Sequence, residues 1–154
     1  MMNKEQLTLD GSDYIPITSD DWETPKEFFE ELNKIYRFTL DPCCQESTAK
    51  CQKFYTKEQD GLKQSWDKER VFCNPPFSDI ESWVMKASNE MRLHPERGAE
   101  CIVMLLPAWT DRAWFHDHIY GKYRIDFLRG RIKFLLNGKM QKSPKFGCML
   151  IIMR

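Results

Sequence analysis

Two consecutive prolines, Pro75 and Pro76, divide the chain where the short apolar run Val71-Phe72-Cys73 meets Asn74 and gives way to Phe77. Proline has no N–H to give a β-ladder and fixes φ, so a strand running through Cys73 has to stop there with a stiff backbone. Asn74 is thereby placed at a strand's carboxyl end, the edge of an open α/β sheet where ligands bind. Its amide offers one acceptor oxygen and two donor hydrogens, and Phe77 sets an aromatic face beside it. An amide, a rigid backbone carbonyl and a ring suit a planar ligand carrying an amino group, as a nucleobase does. The same string also reads as a proline-stiffened turn with a core phenylalanine, so the surrounding chain has to distinguish the two.

That surrounding chain alternates strand and helix signals. Thr24, Pro25 and Glu27 form a capping-box pattern, and Phe28, Phe29, Leu32, Ile35 and Tyr36 follow at helical spacing, which predicts a helix over 25–36. Arg37 to Leu40 alternates and ends in Asp41-Pro42, a strand closing on a carboxylate. In doubly wound folds a cofactor is held at that position, although Asp before Pro also suits a plain surface turn. A short helix over 45–50, a strand over 52–56 and a polar loop with Asp60-Gly61-Leu62 and Trp66 lead to the strand 70–73 that delivers Asn74. Ser78 and Glu81 make a second capping box, opening a helix whose stripe is Ile80, Trp83, Val84, Ala87, Ser88 and Met91. Cys101 to Leu106 is a continuous apolar run, expected of a central strand covered on both faces and ended by Pro107. Thr110 is a candidate cap for a short helix through Trp114, Phe115 and Ile119. Beyond it, 124–128, 131–136 and 146–153 read as strands broken at Asn137-Gly138 and Ser143-Pro144.

Residues 1–21 lack periodicity and are expected to form an irregular or partly disordered arm ahead of a single domain over 22–154. At 154 residues with 42% hydrophobic and 30% charged side chains, that domain can bury a core without disulfides or metal. The six cysteines show no Cys-x-x-Cys spacing, so reduced, buried thiols are expected. His116 and His118 stand two apart and would diverge on a helix, against a shared metal. With no membrane-length apolar run and no signal-peptide pattern at the start, a cytoplasmic location is expected.

The net charge is zero but unevenly spread. Through residue 120 there are 14 Lys/Arg against 22 Asp/Glu; after it there are 9 against 1. Arg124, Arg129, Arg131, Lys133, Lys139, Lys142 and Lys145 therefore mark where a polyanion would dock, with Met140 an apolar side chain in a flexible loop over 137–145. A basic face that merely balances an acidic one is the alternative reading.

Taken in order, Trp22-x-Thr24-Pro25, Leu40-Asp41-Pro42, Asp60-Gly61-Leu62, Asn74-Pro75-Pro76-Phe77 and Leu106-Pro107-Ala108 resemble the phage Dam-type DNA adenine-N6 methyltransferases from about Trp22 onward. The resemblance implies an α/β, Rossmann-like, S-adenosylmethionine-dependent methyltransferase fold: a mostly parallel sheet with a C-terminal antiparallel hairpin. It implies cofactor contacts from Trp22, Thr24, Pro25, Asp41, Pro42, Cys43, Asp60 and Asn74, and a catalytic segment Asn74, Pro75, Pro76 and Phe77 in which Phe77 stacks on a flipped adenine. No metal is implied, DNA is the partner, and short loops rather than a separate target-recognition domain would choose the sequence. This chain reads Asn where many adenine methyltransferases open the motif with Asp. It also carries Cys43-Cys44-Gln45-Glu46 where many have a glycine-rich turn. The same acceptors would serve cytosine N4, an RNA base or a glutamine amide, and a catalytically inactive DNA-binding module of the same fold is the alternative from another class.

Overall fold

A computed structural model describes residues 19–154. Most of the expected arm, residues 1–18, lies outside the described residues; its last part, Ser19–Asp21, forms a 3₁₀ turn. The first helix, α1 (Lys26–Tyr36), is followed by β1 (Leu40–Asp41), β2 (Lys53–Phe54) and β3 (Arg70–Cys73). Then come α2 (Ile80–Leu93), β4 (Cys101–Pro107), α3 (Ala113–His118) and β5 (Arg124–Phe127). A two-stranded hairpin, β6 (Leu135–Leu136) and β7 (Lys139–Met140), precedes the last strand, β8 (Cys148–Met153).

Six strands form one sheet in the order β2-β1-β3-β4-β8-β5. β2, β1, β3 and β4 pair in parallel, while β8 runs antiparallel to both of its neighbours, β4 and β5. The architecture expected from the resemblance is the one observed: a mostly parallel α/β sheet whose antiparallel unit comes last. That unit is the β5–β8 pair, and the 20 residues between its strands carry the separate β6–β7 hairpin.

Burial explains the middle of the sheet. All seven residues of β4 and all six of β8 are buried, as an apolar run without alternation requires. Phe72 of β3 lies 5.2 Å, edge to face, from Phe29 of α1, which seats that helix on the sheet. On α2 the buried stripe is Ile80, Trp83, Val84, Ala87 and Glu90. Glu90 is the departure from the expected stripe. Its carboxylate accepts from Lys86 Nζ at 2.8 Å, and the same ammonium donates at 2.8 Å to the Gln64 carbonyl, tying α2 to the Asp60–Trp66 loop.

Neither predicted capping box forms. α1 starts at Lys26 with Pro25 at its boundary and no side-chain cap, because the Thr24 hydroxyl is engaged elsewhere. α2 starts at Ile80 after a 3₁₀ turn, Phe77–Asp79, and Ser78 binds Asp20 rather than its own helix. α3 begins at Ala113 with Arg112 at its boundary, so Thr110 is not its cap. The strand expected over 131–136 shrinks to Leu135–Leu136, although Ile132 and Phe134 still point inward and are buried. Asn137 and Gly138 take φ of 50° and 76°, the two positive values that a two-residue hairpin turn needs. The expected flexible loop is thus in part an ordered hairpin.

Candidate functional site

A cleft of about 570 Å³ opens at the carboxyl ends of β1 and β3. Its walls include the turn after β1, the Asp60–Leu62 loop, a strap running through Asp20, Trp22 and Thr24, and the hairpin residues Leu136 and Asn137. Of the sequence-derived candidates, Trp22, Thr24, Asp41, Pro42, Cys43, Asp60, Asn74 and Pro76 line it, whereas Pro25, Pro75 and Phe77 do not.

Asn74 joins the strap to the sheet. Its Nδ2 donates to the Trp22 carbonyl at 3.2 Å and to Thr24 Oγ1 at 3.1 Å. A backbone carbonyl can only accept, so the NH₂ end of the amide must face Trp22, and the orientation of the side chain is settled chemically. Oδ1 is left as the acceptor end. Thr24, 2% exposed, acts as a fixed partner for that amide. This accounts for its absence from the helix cap.

The turn after β1 is held without glycine. Asp41, 4% exposed, accepts from the Lys50 N–H at 2.9 Å and the Cys43 N–H at 3.4 Å, closing the 43–50 loop around its own carboxylate. Burial pushes the Asp41 carboxyl up to about 6, opposed by these two N–H donors. Burial, with the Asp41 charge adding to it, also pushes the Cys43 and Cys51 thiols up to about 12, so they stay protonated at neutral pH. All six cysteines are free; Cys73, Cys101 and Cys148 are buried as expected, but Cys43, Cys44 and Cys51 are only half-buried.

The opposite wall depends on Gly61. A Cβ there would lie 2.0 Å from the Pro42 carbonyl oxygen, so only glycine lets this loop touch the end of β1. The Gly61 carbonyl accepts from Trp66 Nε1 at 3.0 Å, and Asp60 Oδ1 accepts from the Leu62 N–H at 3.2 Å. The Asp60 carboxylate is thereby presented on the cleft wall.

Phe77 differs from its expected role as a stacking face. It is 8% exposed and ringed edge-on by Phe146 at 5.6 Å, Phe134 at 5.9 Å, Trp109 at 6.1 Å and Trp22 at 6.3 Å. With its ring enclosed, Phe77 packs the Asn74–Pro76 turn against the strap and has no open face for a base. Trp22 in turn stacks on Phe134 at 5.2 Å.

The basic candidates divide. Arg129, Arg131, Lys133, Lys139, Lys142 and Lys145 are exposed in the segment between β5 and β8. Arg124 stands apart at the start of β5, its Nε donating to Asp126 at 2.9 Å. Sequence reasoning misses Asp20, whose carboxylate accepts from the Ser78 N–H at 3.0 Å and Ser78 Oγ at 2.5 Å, because residues 1–21 lack the periodicity that would mark them as structured. It also misses Leu136 and Asn137, which line the cleft from the β6–β7 hairpin. The Asn-Gly pair signalled the turn, but nothing local indicated where the turn would lie.

Among the described residues no helix is long and apolar enough to cross a membrane, and no cluster of three His, Cys, Asp or Glu could hold a metal ion. The chain is 38% identical to a DNA N-6-adenine-methyltransferase of Escherichia phage T1, over 88% of this chain and 63% of that one. It is 30% identical to the protein of the same name from Haemophilus phage HP1, over 77% of this chain and 68% of that one. It therefore spans just under two thirds of the T1 relative's length. The model of the DNA N-6-adenine-methyltransferase (Dam) family matches residues 11–154, and the chain belongs to that family.

Proposed function

We propose that this chain transfers a methyl group from S-adenosylmethionine to the exocyclic N6 amino group of adenine in DNA. The observation that carries the reading is the Asn74 amide: both of its hydrogens are engaged by the strap, which leaves its oxygen as an acceptor at a strand's carboxyl edge.

The cleft fits the cofactor. About 570 Å³ lies within the range of small-molecule sites, and its two walls are held together by the Gly61–Pro42 contact. Asp41, Pro42, Cys43, Trp22 and Thr24 would hold the methionine end and Asp60 with Leu62 the adenosine end. When bound, S-adenosylmethionine supplies a methyl group on a positively charged sulfur, electrophilic without a metal.

Adenine's amino nitrogen is a poor nucleophile because its lone pair is delocalised into the ring. The two acceptors Asn74 Oδ1 and Pro75 O would accept hydrogen bonds from its two N–H groups, turning the lone pair out of the ring and stabilising the positive charge that develops on nitrogen as the N–C bond forms and the C–S bond breaks. S-adenosylhomocysteine would leave as a neutral thioether and the surplus N–H proton would pass to water. The polyproline turn keeps these acceptors fixed, which is the part of catalysis that preorganisation supplies. The exposed cations between β5 and β8 would hold phosphates while the base leaves the duplex at a cost of about a few kcal/mol. Since Phe77 is enclosed, its contribution is to hold the Asn74 turn in place.

The test is transfer of labelled methyl from S-adenosylmethionine to duplex DNA, followed by digestion to nucleosides. Label in N6-methyladenine is expected. Label only in N4-methylcytosine overturns the choice of base, and saturable DNA binding without any transfer overturns the enzyme reading.

A further inference from the structure

Glu23 sits where the two ligand sides of the protein meet. Its backbone pairs antiparallel with Leu135 through two hydrogen bonds, Glu23 N–H to Leu135 O at 2.7 Å and Leu135 N–H to Glu23 O at 2.9 Å. Its carboxylate Oε1 accepts from the Asn137 N–H at 2.9 Å, at the hairpin turn. The neighbours on either side of Glu23, Trp22 and Thr24, are the two partners of the Asn74 amide. The strap is therefore clasped to the β6–β7 hairpin on one side and to the transfer residue on the other.

The hairpin has two faces. Leu136 and Asn137 line the cleft, while Lys139 and Met140 are exposed, Met140 to 66%. Lys133 and Lys145 are exposed in the segments flanking it, in the stretch over 128–147 that holds six Lys/Arg and no Asp or Glu. A duplex docking on that stretch would press on the hairpin, and the hairpin's other face is the cleft wall.

We propose that Glu23 is a positioning residue that couples DNA and cofactor binding: its carboxylate locks the hairpin turn to the strap, so that DNA on the hairpin favours the closed strap over the cleft and the oriented Asn74 amide. The inference rests on the DNA methyl-transfer reading. Linkage makes the coupling reciprocal, so each ligand raises the affinity for the other by the same factor. The backbone bridge alone leaves the turn free to pivot about Leu135, whereas the side-chain bond adds the second attachment that makes hairpin and strap move together.

Three variants separate reach from charge. Glu23→Gln keeps an acceptor oxygen at the same reach and removes the charge. Glu23→Asp keeps the charge but is one methylene short of the Asn137 N–H, and Glu23→Ala removes both. Calorimetry gives the S-adenosylmethionine affinity with and without a catalytically non-productive duplex, and fluorescence anisotropy gives the DNA affinity with and without S-adenosylhomocysteine. In the unaltered protein, duplex DNA is expected to tighten cofactor binding about tenfold, a coupling within the ordinary range for linked sites. Glu23→Gln should keep most of that factor. Glu23→Ala and Glu23→Asp should bring it to within about twofold; the factor is a ratio of affinities with and without the second ligand, so it reads the coupling whatever the substitution does to either affinity alone, and thermal melting confirms folding. Equal coupling in Glu23→Asp and the unaltered protein overturns the inference, as does loss of coupling in Glu23→Gln. If the unaltered protein binds and methylates DNA with no coupling at all, the inference fails while the function stands; if it binds neither ligand, the functional reading itself fails.

Discussion

Asn74 is held by its two amide hydrogens and is proposed to act through its oxygen, so substitutions there separate two effects. Asn74→Ala removes the acceptor and also releases the strap. Turnover should fall on the order of 10²- to 10³-fold, the cost of losing one preorganised polar partner. Cofactor affinity should fall as well, since Trp22 and Thr24 lose their anchor on the cleft wall. Asn74→Asp, the residue with which many related enzymes open this motif, is not conservative in this setting. A carboxylate oxygen would face the Trp22 carbonyl, acceptor against acceptor, and the cofactor should bind more weakly to Asn74→Asp than to Asn74→Ala. Titration calorimetry decides the order of those two affinities. At the opposite wall, Gly61→Ala forces a methyl group onto the Pro42 carbonyl oxygen, 2.0 Å away, with the Trp83 ring 3.1 Å away as its next neighbour beyond Pro42. A loss of about 1–3 kcal/mol is expected from overpacking, read as a lower urea midpoint, together with weakened cofactor binding.

Among the elements, the strands plainest in the sequence are β3, β4 and β8. β3 matches its predicted bounds and β4 and β8 differ from theirs by one or two residues, because Arg70–Cys73 meets a proline stop and the other two are apolar throughout. Elements specified by a polar side chain were less legible. Thr24 and Ser78 look locally like helix caps, but each is claimed by a residue about 50 or more positions away, Asn74 and Asp20, and no local pattern carries that information. The same limit explains Phe77: an aromatic after two prolines reads as a free face until the rings of Phe134 and Phe146 close over it. The β1 turn gives an element-scale prediction. With the folded Asp41 carboxyl near 6 and an ordinary value of 3.8, the folded chain takes up a proton in that window before the unfolded chain does. This group's contribution to stability is full below 3.8 and is lost as pH rises through 6. Asp41→Asn should remove that component, so that the urea midpoint measured from pH 7 to pH 5 rises less in the variant than in the unaltered protein. An identical pH dependence in both would mean that Asp41 is not the buried titrating group.

For the whole molecule, the uneven charge sets how it meets a polyanion. The stretch after residue 120 holds nine cations and one acid, and in the structure that acid, Asp126, is engaged by Arg124 at the start of β5. Of the other eight, Arg129, Arg131, Lys133, Lys139, Lys142 and Lys145 are exposed between β5 and β8, on the segment that also supplies a wall of the cleft, while Lys122 precedes β5 and Arg154 follows β8. Docking on DNA there would place phosphates beside the strap. Binding should therefore weaken steeply with salt, because each phosphate neutralised releases a counterion, with a log–log slope of about 0.9 per contact. Replacing Lys133, Lys139 and Lys145 together by alanine should flatten that slope by about 3 and weaken binding without changing which base is methylated, since phosphate contacts position but do not specify. Arg124→Ala is the internal control: its guanidinium is already committed to Asp126, so its slope should stay within about 0.5 of the unaltered protein, where a full phosphate contact would remove about 0.9. If the triple variant keeps the original slope while Arg124→Ala flattens it, the DNA track runs along β5, and the hairpin is not the surface that meets the duplex.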